Sequence, residues 1–172
     1  MKAAVITCEG TPVASNVQFV HDWNEIILEK NEVLVETEAS ALNHLDLWVG
    51  IGMPGLGLEY PRISGSDGCG IVTAVGDGVD PSWIGKRVLV NAAVRQTEKK
   101  LPGVCPSSED IRMIGEHDHG TNAEFFAAPV VNVLEVGDVD PIQAAAFGLA
   151  HLTAWRMLIT RAQLHAGQTV LI

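Results

Sequence analysis

The strongest constraint on this chain is a series of short, β-branched segments cut by glycine, proline and asparagine. Residues 2–7, 17–20 and 32–39 open the series, 68–75 and 86–90 continue it, and 121–128 and 131–136 close it. From Val35 onward the segment 32–39 alternates polar and apolar residues, the pattern of a strand with one buried face. Gly10-Thr11-Pro12, Asn31, Gly76-Asp77-Gly78 and Pro81-Ser82 supply turn chemistry between segments. Many short strands at this spacing predict a mainly β fold, a barrel or a sandwich. A chain of 172 residues buries roughly two-thirds of its unfolded surface and needs no covalent staples.

Two stretches depart from this pattern. Residues 42–49 contain no breaker and are predicted to form one or two helical turns. From Asp140-Pro141 the periodicity turns helical, with an acidic N-cap followed by proline at the first helical position. A second helix is predicted over about 150–164, then a turn at 165–168 and a terminal strand at 169–172. Residues 91–118 are the least regular and predict a long excursion loop, in which Ser107–Asp110 can start a short helix.

Charge and composition exclude several functions. With 21 Asp and Glu against 11 Lys and Arg, the formal charge of −10 disfavours nucleic acid and anionic membranes as partners. Much of the surplus lies in residues 1–60, where Lys2 and Lys30 face nine carboxylates, and it reads as a solubilising surface. The apolar fraction of 47% against 19% charged residues argues against disorder. Cys8, Cys69 and Cys105 are scattered and odd in number, which points to a reducing cytoplasm. The N-terminus lacks the basic start and apolar run of a signal peptide, and no apolar stretch reaches the ~18 residues of a membrane span.

Six motifs occur in order: Leu42-Asn43-His44-Leu45-Asp46, Pro61-Arg62-Ile63-Ser64-Gly65-Ser66-Asp67-Gly68-Cys69-Gly70, Val75-Gly76-Asp77-Gly78-Val79, Gly85-Lys86-Arg87-Val88, Gly120-Thr121-Asn122-Ala123-Glu124-Phe125 and Leu152-Thr153-Ala154-Trp155. Each is weak alone. Together they resemble the N-terminal half of a medium-chain dehydrogenase/reductase, the superfamily of zinc alcohol dehydrogenases and quinone oxidoreductases. The resemblance implies a GroES-like catalytic domain, a partly open β-barrel, over residues 1–140. It implies that 141–172 form connecting helices and the first strand of a Rossmann domain for NAD(P)(H). Such a strand feeds a G-x-G-x-x-G turn and a helix. The one match, Gly50-Ile51-Gly52 to Gly55, contains Pro54 and follows no strand, so it reads as a loop. The 172-residue chain is therefore expected neither to bind NAD(P)(H) nor to act as a dehydrogenase by itself. An unpaired strand at 169–172 is expected either to promote self-association or to be disordered.

The resemblance also bears on metal. Zinc relatives hold the catalytic ion with Cys, His and Cys, at positions that here carry Asn43, Ser66 and Leu149. A leucine has no lone pair to give, and a catalytic zinc is not expected. The structural zinc needs four cysteines in the excursion loop, which holds Cys105 alone. Glu116-His117-Asp118-His119 contains a ligand pair but reads first as solvated polar sequence, and Cys69 as a small buried hydrophobe.

Without metal, the chemistry would fall to a cofactor hydride and to hydrogen bonds at a developing oxyanion. The expected catalytic residues are Asn43, Asp46 and Ser66. Asn43 and Ser66 either donate to a substrate carbonyl or satisfy local backbone, and Asp46 orients its neighbours or is a surface carboxylate. Trp48, Tyr60 and Leu149 are expected at the substrate pocket, although core packing is the simpler reading of Trp48. The resemblance places His44 near cofactor phosphates, where it could also pass a proton. It places Thr153 near the nicotinamide, with bonding to its own helix backbone as the alternative. The substrate class is a small carbonyl, quinone or alcohol. A stand-alone GroES-like binding or assembly module and a zinc-dependent alcohol dehydrogenase are the competing readings.

Overall fold

A computed structural model describes residues 1–55, 57–95 and 110–171. Its centre is a five-stranded antiparallel sheet built on β3 (Glu32–Ala41) and β5 (Asp67–Val75). β3 pairs along its length with β5, from Val33 opposite Val75 to Ala41 opposite Asp67. Its other side takes β9 (Phe125–Pro129), while β5 pairs with β6 (Arg87–Val90) and β6 with β10 (Val133–Glu135). A smaller sheet joins β1 (Ala3–Ile6) to β2 (Val17–Val20) on one side and to β4 (Arg62–Ile63) on the other. β7 (Ala93–Arg95) and β8 (Ile111–Met113) form a two-stranded ribbon.

Alternation decides which face of the main sheet is buried. Val33 and Val35 of β3, Val88 and Val90 of β6, and Phe126 and Ala128 of β9 point to one side and form the main core with Val72 and Ile114. The start of β5 is buried on both faces, which explains its small residues. Cys69 meets Ala144 and Ala145 of α2 (Pro141–Trp155), and a Cβ on Gly70 would strike the carbonyl of Glu36. Burial pushes the Cys69 thiol up to about 11, so it is an inert small hydrophobe. Register shifts in the β3–β5 ladder, one between Leu34 and Val35 and one between Thr37 and Ala39, bend the sheet into the curl of a partly open barrel.

The predicted β fold is present, and the differences lie in the ends and connections. The strand expected over 121–128 starts only at Phe125, because Thr121 and Asn122 bond instead to the backbone of Gly65 and Ser64. The strand expected over 131–136 is preceded by a 3-10 turn, Val130–Asn132. The β7–β8 ribbon flanks the middle of the excursion, while half of it, including Cys105 and Ser107, lies outside the described residues.

The two predicted C-terminal helices are one. α2 runs through Gly148 and continues as a π-helical segment, Arg156–Arg161, since nothing between positions 141 and 161 breaks it. Asp140 caps it as expected, its Oδ1 accepting the Gln143 N–H at 3.0 Å. Residues 169–171 are exposed and form no strand: a β-branched run becomes one only when another strand satisfies its backbone. No helix among the described residues is long and apolar enough to cross a membrane.

Candidate functional site

Three segments converge on Asp67, the first residue of β5. The turn before α1 (His44–Ile51) brings Asn43, whose side-chain Nδ2 donates to Asp67 Oδ2. α2 brings the backbone N–H of Leu149, which donates to Oδ1 at 2.5 Å. Thr121, from the loop before β9, donates its hydroxyl to the Asp67 carbonyl at 2.8 Å. Asp67 is 1% exposed. Burial pushes its carboxyl above the usual range, while the Leu149 N–H and the Asn43 amide pull it back. Asp46 raises it slightly further and His151 opposes that.

The close approach of α2 depends on glycine. A Cβ on Gly148 would strike Asp67 Oδ1, so the helix can lie over the carboxylate only at a residue without a side chain. Gly148 also lines a cleft of about 640 Å³ with His151, Leu152 and Trp155 of α2 and Leu89 of β6. The Phe147 and His151 rings stack beside it at 4.0 Å.

Asp46 holds the same site from α1. It is buried, its Oδ2 accepts the Asn43 N–H at 2.7 Å, and its Oδ1 accepts the Gly65 N–H at 2.7 Å. The first contact places a carboxylate on the N-terminal turn, where the helix dipole favours it. The second fixes Gly65 at φ 103°, a conformation open to glycine. Asp46 thus orients neighbours and is not a surface carboxylate. Ser66, between Gly65 and Asp67, is 2% exposed, and its Oγ has no hydrogen-bond partner.

Asn43, Ser66 and Leu149 therefore come together around Asp67, with Asp46 behind them. The other candidates stand apart. Trp48 is half exposed on α1 and does not pack in the core; its ring lies 4.9 Å from that of His44, which is also exposed. Tyr60 donates its hydroxyl to the Val49 carbonyl at 2.5 Å and lines a different cavity. Thr153 lies exposed on α2. Gly50 and Ile51 end α1, so the glycine-spaced match there is not a strand–turn–helix. Glu116 is buried although His119 is exposed, so that stretch is not simply solvated. Among the described residues no three His, Cys, Asp or Glu side chains are grouped to hold a metal.

Sequence reasoning missed Asp67 as the hub. Its signal was indirect: a carboxylate in a run of small and apolar residues, Ser66-Asp67-Gly68-Cys69-Gly70, is a charge the fold has to satisfy.

Comparison with known proteins identifies the family to which this fold belongs. The pattern of the alcohol dehydrogenase GroES-like domain matches residues 29–138. An alcohol dehydrogenase of Geobacillus stearothermophilus is 33% identical over 138 residues, covering 76% of this chain and 40% of the relative. A quinone oxidoreductase of Lama guanicoe is 26% identical over 100% of this chain and 44% of its own. The crystal structure of an NAD-dependent alcohol dehydrogenase superposes with a TM-score of 0.85 at 32% identity, covering 97% of this chain and 49% of that one. The chain thus spans less than half the length of these relatives.

Proposed function

Because the chain belongs to the alcohol dehydrogenase GroES-like domain family, we propose that it forms the catalytic part of a zinc-independent, NAD(P)(H)-dependent oxidoreductase acting on a small carbonyl, quinone or alcohol. The observation that carries this reading is the Asp67 cluster. A zinc ion among positions 43, 66 and 149 would meet the Leu149 side chain and two N–H donors already aimed at a carboxylate. Donors repel a cation, so these residues do not fit the metal.

They do fit a substrate oxygen. The Ser66 hydroxyl is a buried donor without a partner, and the Asn43 side-chain amide, oriented by Asp67 while Asp46 accepts the Asn43 backbone N–H, has a second Nδ2–H to give. Both would hydrogen-bond a carbonyl oxygen as negative charge grows on it. The nicotinamide cofactor, when bound, supplies or accepts the hydride. Residues 1–140 serve as the catalytic domain and 141–172 lead toward the nucleotide-binding part. His44 would meet the cofactor phosphates and Thr153 the nicotinamide. Leu149 and Trp48 border the substrate, and Tyr60 anchors the end of α1.

The test joins this chain to the nucleotide-binding half of a relative and measures NAD(P)H-dependent reduction of aldehydes and quinones. Activity is expected to survive chelators and to fall about tenfold or more in kcat with Asn43→Ala. The 172-residue chain alone is expected to show no saturable NAD(P)H binding and no stoichiometric zinc. Saturable binding overturns the division of labour, and bound zinc overturns the metal-free reading.

A further inference from the structure

Arg62, in β4, is 6% exposed and lines a cavity of about 970 Å³ away from the Asp67 cluster. Its Nε donates to the Glu59 carbonyl at 2.6 Å, while its buried Nη1 has no partner. No described carboxylate forms an ion pair with it. Asp118 is taken by Arg112, and Glu116 lies 3.2 Å from His117. Burial depresses the guanidinium, and Glu59, Asp118 and Glu116 only partly offset this from a distance. The Tyr60 ring, 5.6 Å from Cζ, completes its surroundings. A buried guanidinium with a free N–H and no counter-ion is one of the least comfortable groups a fold can hold.

A second donor stands in the same cavity. His119 accepts the Ile63 N–H on Nδ1 at 3.3 Å, which leaves the ring proton on Nε2. Burial and the charge of Arg62 hold its pKa below the usual value, so it stays neutral and keeps that tautomer near pH 7. Trp23 packs edge-on against it at 5.3 Å, and Ile27 and Phe126 add apolar wall.

We propose that Arg62 and His119 form a binding site for a small molecule bearing a single carboxylate and an apolar body. The guanidinium suits a carboxylate by geometry as well as charge. Glu25, Glu29, Glu32 and Glu59 also line the cavity and oppose ligands with more than one negative charge, phosphates among them. The site shares no side chain with the Asp67 cluster and does not depend on the proposed reaction.

The probe is benzoate, titrated into the full chain at pH 7 and followed by calorimetry and by backbone amide NMR. Benzoate is expected to bind saturably, with the largest amide shifts at Ile63, His119 and Gly120. Benzamide and inorganic phosphate are expected to bind at least about tenfold more weakly. Arg62→Met is expected to lower benzoate affinity about tenfold or more, and His119→Gln by a smaller factor. Absence of saturable benzoate binding overturns the proposal, as do equal affinity for benzamide or shifts mapped elsewhere in the wild-type chain. Unchanged affinity in a folded Arg62→Met does so as well. The wild-type shift map decides the matter even where a variant fails to fold.

Discussion

Asp67 and Arg62 lie five positions apart on one stretch of chain, both buried, yet the fold treats them oppositely. The anion receives a donor from the α1 turn and another from α2, so its charge is spent on holding three segments together. The cation keeps one N–H unanswered beside a cavity. A buried charge that is fully partnered belongs to the architecture, whereas one left open is available to something from outside. Substitutions that remove partners should therefore be costly around Asp67 and mild around Arg62.

The largest effect is expected from Gly148→Val, which drives a side chain into Asp67 Oδ1 and breaks the α2 contact. Urea unfolding should show a loss of about 3 kcal/mol or more, and a loss below about 1 kcal/mol would mean that α2 is not held this closely. Asn43→Ala removes the side-chain donor to the carboxylate, leaving the Leu149 backbone N–H, and should lower stability by about 1–3 kcal/mol. Asp67→Asn sharpens the comparison through pH. Because the folded-state pKa of Asp67 is raised, the native state holds that proton longer than the unfolded chain. Its contribution is present in full below the ordinary carboxylate range and is lost as pH rises through the raised value. The stability of Asp67→Asn relative to wild type should accordingly improve with rising pH, by about 1.4 kcal/mol for each unit of pKa difference. Parallel stability–pH curves would contradict the shift. The smallest effect is expected from Arg62→Met, within about 1 kcal/mol of wild type by thermal unfolding, since no ion pair is broken.

The two charges also mark what the sequence could disclose. Strand alternation made β3 legible, and Asp140-Pro141 placed the start of α2, because both signals are local. The meeting of positions 43, 66 and 149 was available only through resemblance. The role of Asp67 was not available at all, since its partners stand 24 and 82 positions away along the chain. Arg62 fell in no predicted strand, and nothing in Pro61-Arg62-Ile63 announces a buried cation beside a cavity. Trp48 misled in the other direction: a large aromatic on a short helix suggests core, yet α1 turns that face outward. The terminal run at 169–171 had strand composition without a strand beside it, and composition alone cannot supply that neighbour.

The position of β3 between β5 and β9 has a consequence for how the chain is made. Its pairing with β5 joins segments near in sequence, but its pairing with β9 sets Glu32 opposite Pro129. As the protein leaves the ribosome, the first ladder can close while the far side of β3 still presents bare backbone N–H and C=O groups. That side stays adhesive until residues 125–129 emerge, so chaperone capture or misassembly during synthesis should concentrate on nascent chains shorter than about 130 residues plus the length held in the exit tunnel.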